Sequence, residues 1–372
     1  MTMQYKPFLD ALPRDLVSAS DYARYAQQHL PESIYEYVVG GGGDEITLNR
    51  NRQKLDEILI QPSVLKDCTK GGTHTQCLGE TFRHPLLLAP VAFHKLAHPM
   101  GELATCEAAD LLETGVIVST LASQTIEDIA SKTLQPKWFQ LYIQQNREFT
   151  LKLVKRAEKA GYSKLVVTVD APLHGIRNRA QRAGFVLPDG IEAVNLTDRP
   201  PLPRQSFAPS QSVVFQGMMS EAPTWDDIAW LQTQTTLPII LKGILSVGDA
   251  LKATQMGVAG IVVSNHGGRT LDCLPSSIEM LPLIRQAVGP EYPILFDGGI
   301  ERGTDIFKAL ALGANLVCLG RPQLYALSVA GALGVAHLLR VLREEFEVTM
   351  SLAGTPTIDE ITSDSLILGL NK

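Results

Sequence analysis

From residue 85 onward, short apolar runs alternate with longer amphipathic segments. The short runs have the length of buried strands, and the longer segments, such as Arg147–Ala160, Val247–Met256 and Gly303–Leu312, have the spacing of helices with one apolar face. Eight successive β-then-α units predict an α/β chain folded as a (β/α)8 TIM barrel. An open, doubly wound sheet shares this alternation and is the alternative. The predicted strands are Pro85–Pro90, Gly115–Thr120, Lys137–Tyr142, Lys164–Asp170, Leu237–Lys242, Ala259–Ser264, Tyr292–Gly298 and Ala314–Gly320.

The pattern divides the chain into two regions. Residues 1–84 have the signals of helices and a hairpin and form an N-terminal extension, whereas residues 85–372 contain the barrel and C-terminal helices. The longest irregular segment, residues 171–223, follows strand four, so we expect a lid over the carboxyl ends of the strands. Its apolar patch, residues 212–219, is expected to pack over the site or against a neighbouring subunit. The run Gly40–Gly43 lacks the Lys-Ser/Thr of a phosphate-binding loop and is interpreted as a turn.

Composition narrows the classes of function. The 372 residues are 45% hydrophobic and 19% charged, with a net charge of −6 and no long Lys/Arg run, so a nucleic-acid partner is not expected. No uncharged apolar run reaches the ~18 residues of a membrane span, and residues 1–12 lack a signal-peptide pattern, so no membrane association is expected. The odd number of cysteines and the absence of a CxxC motif fit a reducing, cytoplasmic location. Cys68, His74 and Cys77 flank a predicted turn without a fourth ligand, and no metal is expected.

Polar residues recur where the predicted strands end, which is the face of a barrel that carries chemistry. A role as strand caps explains one or two of them, but not the buried positions Gln140, Thr168 and Lys242 together. In strand order, the residues at these ends are Ala89, Pro90, Val91 and Ala92; Ser119; Gln140 and Tyr142; Thr168 and Asp170, with Arg177 beyond; Lys242; Ser264 and His266, with Arg269 beyond; Asp297, Gly298 and Gly299; and Gly320 and Arg321.

The segment Ser264-Asn265-His266-Gly267-Gly268-Arg269-Thr270-Leu271-Asp272 directly follows strand six. The imidazole of His266 can accept a proton near neutral pH, and the guanidinium of Arg269 can hold a carboxylate through two parallel hydrogen bonds. The glycines between them permit close approach of a ligand to the backbone. The segment therefore predicts a base and an anion clamp that face one small acidic substrate.

The ends of strands seven and eight fit a phosphate pocket. Gly298-Gly299 precedes a helix that is predicted to start near Arg302, and Gly320-Arg321 precedes another helix. Free N–H groups at helix starts bind phosphate, and barrels frequently bind phosphate after strands seven and eight. Two such turns at this place predict a phosphate monoester ligand.

Taken together, these residues resemble the family of FMN-dependent L-2-hydroxy acid oxidases and dehydrogenases, which includes glycolate oxidase and lactate oxidase. The resemblance runs from about Tyr22 to Leu352, and Ser-Asn-His-Gly-Gly-Arg followed by Leu-Asp is its most specific motif. The blocks Leu237–Gly243, Asp297–Leu312 and Gly320–Pro322 are also similar to the family. The resemblance implies FMN as the cofactor and the oxidation of an L-2-hydroxy acid to a 2-oxo acid.

The resemblance also implies a role for each catalytic residue. His266 is expected to be the base, with Asp170 hydrogen-bonded to it and stabilising its protonated form. The other implied roles are a grip on the substrate carboxylate by Arg269, Arg177 and Tyr22, contact with the substrate hydroxyl by Tyr142, and stabilisation of the reduced flavin by Lys242.

For the cofactor, the resemblance implies contacts along one face of the barrel. The backbone of Ala89, Pro90, Val91 and Ala92 is expected to face the reactive edge of the flavin ring. The remaining implied contacts are hydrogen bonds from Ser119, Gln140, Thr168 and Ser264 to the ring and ribityl chain, from Asp297 to the ribityl hydroxyls, and from Gly298, Gly299, Arg302, Gly320 and Arg321 at the phosphate end.

The sequence departs from the family pattern at several positions. Glu301 stands where the family usually has arginine, and a carboxylate there repels phosphate unless it points away or pairs with Arg302. Thr270 replaces the more usual glutamine. Leu121 stands where glycolate oxidases carry tryptophan, which predicts a substrate larger than glycolate.

Three hypotheses follow from the sequence. The first is an oxidase that passes electrons to O2 and forms H2O2, which Ala92 favours because many dehydrogenases of the family have glycine there. The second is a dehydrogenase with another electron acceptor, or an enzyme for a bulky or carrier-bound acid. The third is a flavin-binding scaffold without turnover, which the full catalytic set argues against. The resemblance also implies a homotetramer, or an octamer of two tetramers.

Overall fold

The computed structural model describes residues 3–201, 207–208, 210–220 and 222–369. Its centre is a closed barrel of eight parallel strands, in which each strand pairs with the next along the chain. The last strand pairs with the first through the register Val317↔Leu86, so the predicted TIM barrel is confirmed and the open sheet is wrong. The strands, labelled β1 to β8, are Leu86–Leu88, Gly115–Ser119, Lys137–Leu141, Leu165–Thr168, Ile239–Ile244, Gly260–Val263, Ile294–Phe296 and Leu316–Leu319.

The barrel strands are buried on both faces, as parallel strands covered by helices must be. Every residue of β4 and β6 is buried, and both strands are built almost entirely from leucine, isoleucine and valine. Seven of the eight predicted strands extend one or two residues beyond the observed carboxyl ends, whereas β5 continues past Lys242 to Ile244. The polar residues at and just beyond these carboxyl ends lie at one face of the barrel.

The helices that surround the barrel follow their amphipathic patterns. In the helix Arg147–Lys159 the buried positions are Phe149, Thr150, Leu153, Val154 and Ala157, which lie on one face, and Asn146 caps its first turn. The helices, labelled α1 to α12, are Ala19–His29, Glu32–Val39, Ile46–Glu57, Glu102–Leu111, Ile126–Ala130, Arg147–Lys159, Asn178–Arg182, Trp225–Gln234, Val247–Gln255, Ser277–Val288, Gly303–Ala311 and Arg321–Ala353.

The helix α12 is the one described helix that is long and apolar enough to cross a membrane. Of its most apolar window, 72% is buried inside the fold, and the backbone leaves helical geometry at Ala330 and Gly331. Its apolar length is therefore used as core that packs against α1, α4 and α11.

The N-terminal extension covers both ends of the barrel. Its hairpin, Thr75–Cys77 with Glu80–Phe82, closes the amino-terminal end. There Glu80 accepts a hydrogen bond from Trp138 Nε1 at 2.8 Å and pairs with Lys164 Nζ at 3.1 Å. The short strand Leu59–Ile60 pairs antiparallel with Leu366–Ile367 near the other end of the chain. The helices α2 and α3 contribute residues to the opposite face, where the candidate site lies.

Candidate active site

A cavity of about 1390 Å³ opens at the carboxyl ends of the strands. This volume exceeds the few hundred to about 1,000 Å³ of most ligand pockets and leaves room for a cofactor together with a small substrate. Most of the residues predicted for the site line this cavity. These are Ala89, Pro90, Val91, Ala92, Ser119, Gln140, Tyr142, Thr168, Arg177, Lys242, His266, Arg269, Asp297, Gly298, Gly299, Gly320 and Arg321.

His266 and Asp170 form a pair at one side of the cavity. Asp170 lies just beyond β4, behind His266, and its Oδ1 is 2.8 Å from His266 Nδ1. Burial opposes ionisation of Asp170, but the nearby His266 and Lys242 outweigh it and hold the pKa of this carboxyl below its usual value. An ionised carboxylate only accepts hydrogen bonds, so His266 donates from Nδ1 and its Nε2 is left to accept a proton.

The approach of Asp170 depends on a glycine in β5. Gly243 has φ of +104° at an irregularity in the pairing of β5 with β6. A side chain there would begin 2.5 Å from Asp170 Cβ and 2.8 Å from its Oδ2. The sequence block Leu237–Gly243 therefore ends in a glycine because Asp170 occupies the space of a Cβ.

Two guanidinium groups and one aromatic ring form an anion site beside His266. Arg177 and Arg269 lie over the ring of Tyr37, with Cζ atoms 5.6 and 5.2 Å from its centroid. Burial, together with Arg321 and Arg177, lowers the pKa of Arg269 to about 9. Its hydrogen bonds go to backbone carbonyls of Tyr37, Val38 and Gly40, which carry no net charge to offset it. Two arginines close together beside an open cavity favour an anionic ligand.

The prediction for Tyr22 is wrong. Its side chain is fully buried and its hydroxyl lies 3.0 Å from His337 Nδ1, where α1 packs on α12. Tyr22 shares the buried face of α1 with Ala19 and Ala26, so its spacing is that of a core residue. Tyr37, at the end of α2, lies where the prediction placed Tyr22. The available sequence signal was its place just before the glycine run Gly40–Gly43.

The floor of the cavity is a chain of hydrogen bonds across neighbouring strands. Gln140 accepts from Ser119 Oγ at 3.2 Å and donates to Thr168 Oγ1 at 3.0 Å. Lys242 Nζ lies 2.7 Å from Asp297 Oδ2 and donates to Ser264 Oγ at 2.9 Å. Burial disfavours the charge on Lys242, but Asp297 and Asp170 outweigh it and raise the pKa of the ammonium group above its usual value.

The placement of Ser264 corrects its predicted role. Ser264 is not one of the described residues that line the cavity. Its hydroxyl donates to Asp297 Oδ1 at 2.5 Å and accepts from the N–H of His266 at 3.0 Å. Ser264 therefore positions Lys242, Asp297 and His266. Its hydroxyl is engaged because it lies between the two members of the ion pair Lys242–Asp297 and hydrogen-bonds to both.

The phosphate end also differs from the prediction. Gly298, Gly299, Gly320 and Arg321 line the cavity, and a Cβ on Gly320 would meet no atom within 4 Å. Arg302 is outside this wall: its side chain is exposed and donates to Asp56 Oδ1 at 2.9 Å, because that carboxylate competes for it at the surface. Arg302 therefore does not line the cavity, where the prediction placed it.

The N-terminal extension holds the segment 264–272 in place. Asn51 and Asn265 exchange side-chain hydrogen bonds of 2.9 and 2.7 Å. Asp272 accepts from the N–H groups of Asp44 and Thr47 at 2.9 and 2.8 Å and so caps α3. In the run Gly40–Gly43, added side chains would collide with backbone oxygens of residues 268 and 270 and with Asp272, so the run is a packed contact and not only a turn.

The loop of residues 171–223 contributes in part to the cavity, although residues 202–206, 209 and 221 lie outside the described ones. Leu173, His174, Leu196, Arg199 and Pro223 line the cavity. The predicted apolar patch forms a π-helix, Val213–Met218, whose Phe215 is exposed and does not line it. Within the described ranges, no group of three or more His, Cys, Asp or Glu side chains is arranged to hold a metal.

Three features of the cavity fit FMN as a ligand. Arg177 Nε is buried and has no hydrogen-bond partner among the described residues, the floor presents polar groups from four strands, and open space lies beside Gly320. A closed parallel barrel with a base, an anion clamp and a phosphate turn at its carboxyl end defines a flavin-dependent enzyme of hydroxy acids.

The chain belongs to the family of FMN-dependent dehydrogenases, and residues 26–368 match the sequence model of that family. Its cofactor is therefore FMN. The chain is 46% identical to an L-lactate oxidase of Alicycliphilus denitrificans, over 96% of this chain and 98% of that one. It is 43% identical to a peroxisomal (S)-2-hydroxyacid oxidase of Arabidopsis thaliana, over 93% of this chain and 95% of that one. A crystal structure of mandelate oxidase is 39% identical and superposes with a TM-score of 0.85, over 94% of this chain and 98% of that one.

Proposed function

We propose that this protein is an FMN-dependent oxidase that converts an (S)-2-hydroxy acid to a 2-oxo acid and passes the electrons to O2, giving H2O2. The observation that carries the proposal is the pair His266–Asp170 beside the guanidinium groups of Arg177 and Arg269. The first is a base and the second a carboxylate grip, and both face one cavity. The relatives named as lactate and hydroxyacid oxidases support the same reaction.

The substrate carboxylate binds between Arg177 and Arg269. Arg177 Nε, which has no partner among the described residues, is a donor for it, and both guanidinium groups lie over the ring of Tyr37. Burial raises the pKa of Tyr142 to about 12, so its hydroxyl stays protonated and can donate to, or accept from, the substrate hydroxyl. These contacts fix the α-carbon next to His266.

His266 takes the proton that leaves the substrate. Its Nδ1–H is held by Asp170, so the proton goes to Nε2 and the resulting imidazolium is stabilised by the carboxylate. Oxidation removes two electrons and two protons from the substrate, and FMN, when bound, is the acceptor of the two electrons. Lys242, although paired with Asp297, places an ammonium group at the cavity floor, and this nearby cation favours negative charge on that acceptor.

L-Lactate is our first candidate for the substrate. Leu121, Phe93 and Val91 form a partly buried apolar wall of the cavity, which suits a small alkyl side chain. A structure of a mandelate oxidase variant with (S)-mandelic acid, which has the same fold, supports a larger side chain as the alternative. A substrate larger than glycolate therefore remains our proposal. The long loop that lines the cavity with Leu196 and Arg199 supports the alternative, a dehydrogenase or an enzyme for a bulky or carrier-bound acid.

We further propose a cytoplasmic homotetramer. The π-helix Val213–Met218 leaves Val213, Phe215 and Met218 exposed, which suits contact with a neighbouring subunit. Light scattering of the purified holoenzyme tests the oligomer: a monomer at micromolar concentration would overturn it. Fractionation of cells tests the location.

The proposed reaction is tested by adding acids to the yellow holoenzyme without oxygen. L-Lactate, glycolate, L-mandelate and longer 2-hydroxy acids are compared by the rate at which the visible flavin band bleaches. Return of the colour in air, with one H2O2 per turnover, identifies an oxidase. Bleaching without reoxidation by air identifies a dehydrogenase, and a flavin that none of these acids bleaches points to a bulky or carrier-bound substrate.

A further inference from the structure

Glu301 lies in the cavity wall at the end formed by the residues that follow β7 and β8. Its backbone N–H donates to Asp305 Oδ2 at 3.0 Å, while its carboxyl group forms no ion pair or hydrogen bond with another described residue. The Glu301 side chain is partly buried, and a carboxylate that is partly withdrawn from water without a partner is costly when ionised. This carboxyl group is therefore a candidate to act on whatever binds at this end of the cavity.

The cations around Glu301 are committed to other groups. Arg52 donates to Asp305 at 2.7 and 2.8 Å and to Asp56 at 2.8 Å. Arg302 pairs with Asp56, and the guanidinium of Arg321 donates to backbone carbonyls. None of these arginines is placed to neutralise Glu301 by a direct contact.

The nearby start of α11 is likewise occupied. The N–H groups of Glu301 and Arg302 donate to Asp305, and the N–H of Gly303 donates to Glu345 Oε2 at 2.8 Å. A helix start whose amides are already capped by carboxylates has fewer donors left for an anion. Fewer backbone N–H groups are therefore available to bind a phosphate at this end of the cavity than the turn Gly298-Gly299 alone indicates.

Charged groups reach Glu301 from each packed element. Arg52 faces it from α3, Arg302 and Asp305 from the start of α11, and Arg321 and Tyr325 from α12. Burial raises the pKa of Glu301, with Asp305 acting in the same direction and the three arginines against it. A phosphate dianion placed here would raise this pKa further, since both groups are then negative.

We infer that Glu301 binds the phosphate of FMN as a neutral carboxylic acid, so that one proton is taken up from water at Glu301 when FMN binds. The acid O–H then donates to a phosphate oxygen, where the ionised form would repel it. This inference rests on FMN binding in the cavity, not on the identity of the substrate.

The linkage has a definite sign. The pKa of Glu301 is higher with FMN bound than without it, so FMN affinity is greatest at low pH. Affinity falls as the pH rises between the two pKa values, and it levels off above the higher one. Riboflavin, which has no phosphate, gives no such fall.

The experiment measures FMN and riboflavin binding to the apoprotein by quenching of flavin fluorescence from pH 6 to 8.5. We expect the wild-type dissociation constant for FMN to rise about tenfold or more across this range, relative to Glu301→Gln, which binds FMN tightly and lacks this rise. Because the phosphate itself titrates near pH 6, Glu301→Gln also serves as its background. Glu344→Gln, an equal charge change on the exposed face of α12, should behave as wild type.

A second measurement needs no variant. Calorimetry in two buffers of different ionisation enthalpy, at the pH where the wild-type affinity falls most steeply, should show proton uptake on binding of FMN and none for riboflavin. Equal pH profiles for wild type and Glu301→Gln, or the absence of proton uptake, would overturn the inference while leaving the flavin site in place. Failure of both flavins to bind would overturn the flavin site as well.

Discussion

Replacing Asp170 with asparagine tests whether the carboxylate stabilises protonated His266. The 2.8 Å contact puts the two charge centres about 4 Å apart, where their attraction is about 4 kcal/mol at an effective dielectric constant near 20. Asparagine keeps the shape and a neutral hydrogen bond worth about 1 kcal/mol. The net loss of about 3 kcal/mol corresponds to about a hundredfold slower proton removal.

The assay is stopped-flow measurement of cofactor bleaching by L-lactate without oxygen, which isolates the reductive step from reoxidation. The rate constant at saturating substrate should fall about a hundredfold, while the apparent affinity for lactate changes by less than about threefold because Arg177 and Arg269 are untouched. Asp227→Asn, which removes a carboxylate paired with Arg147 at 2.7 Å on α8, is the control. An Asp170→Asn enzyme that reduces its flavin within about tenfold of wild type would refute the reasoning.

Four further predictions follow from the site. Lys242→Met should leave a folded protein whose flavin is reduced at least about tenfold more slowly, and whose reduction potential is lower, because a buried positive charge is lost. Tyr37→Ala should raise the KM for lactate. Tyr22→Phe should leave KM and kcat unchanged and affect only thermal stability. The reverse result would show that Tyr22, and not Tyr37, contacts the substrate. Gly243→Ala should lower both the Tm and kcat, because its Cβ would lie 2.5 Å from that of Asp170, and an unchanged enzyme would contradict this packing. Leu121→Trp should shift the ratio of kcat/KM toward glycolate and away from lactate, measured as H2O2 formed from each acid.

The barrel and much of its site could be predicted from the sequence because both depend on local patterns. Each strand is an apolar run of a few residues, and the residues at or just beyond its carboxyl end reach the active face whatever the details of packing. Lys242, His266 and Asp297 were predicted in this way and line the cavity. The identity of the cofactor followed from a motif of unusual specificity, Ser264 to Arg269 with Leu271-Asp272.

The errors occurred where a side chain's position depends on the contact between separate elements. The local signals that distinguish Tyr22 from Tyr37 are weak, because both are tyrosines on helices of the N-terminal extension. Their roles differ because α1 turns its tyrosine onto α12, while α2 ends at the cavity beside Arg269. Arg302 was misplaced for a related reason, since its partner Asp56 lies far away in sequence.

The charges of the cavity suggest why the N-terminal extension is part of the site. Arg269 and Arg321 are held by the carbonyl oxygens of Val38 and Gly40, at the end of α2. Carboxylate partners would fix these arginines equally well but would cancel the charge that an anionic substrate and cofactor need. Carbonyl dipoles position the arginines and leave their positive charge available to ligands. The glycines of the run Gly40–Gly43 make this possible, since only a backbone without side chains approaches the segment after His266 so closely.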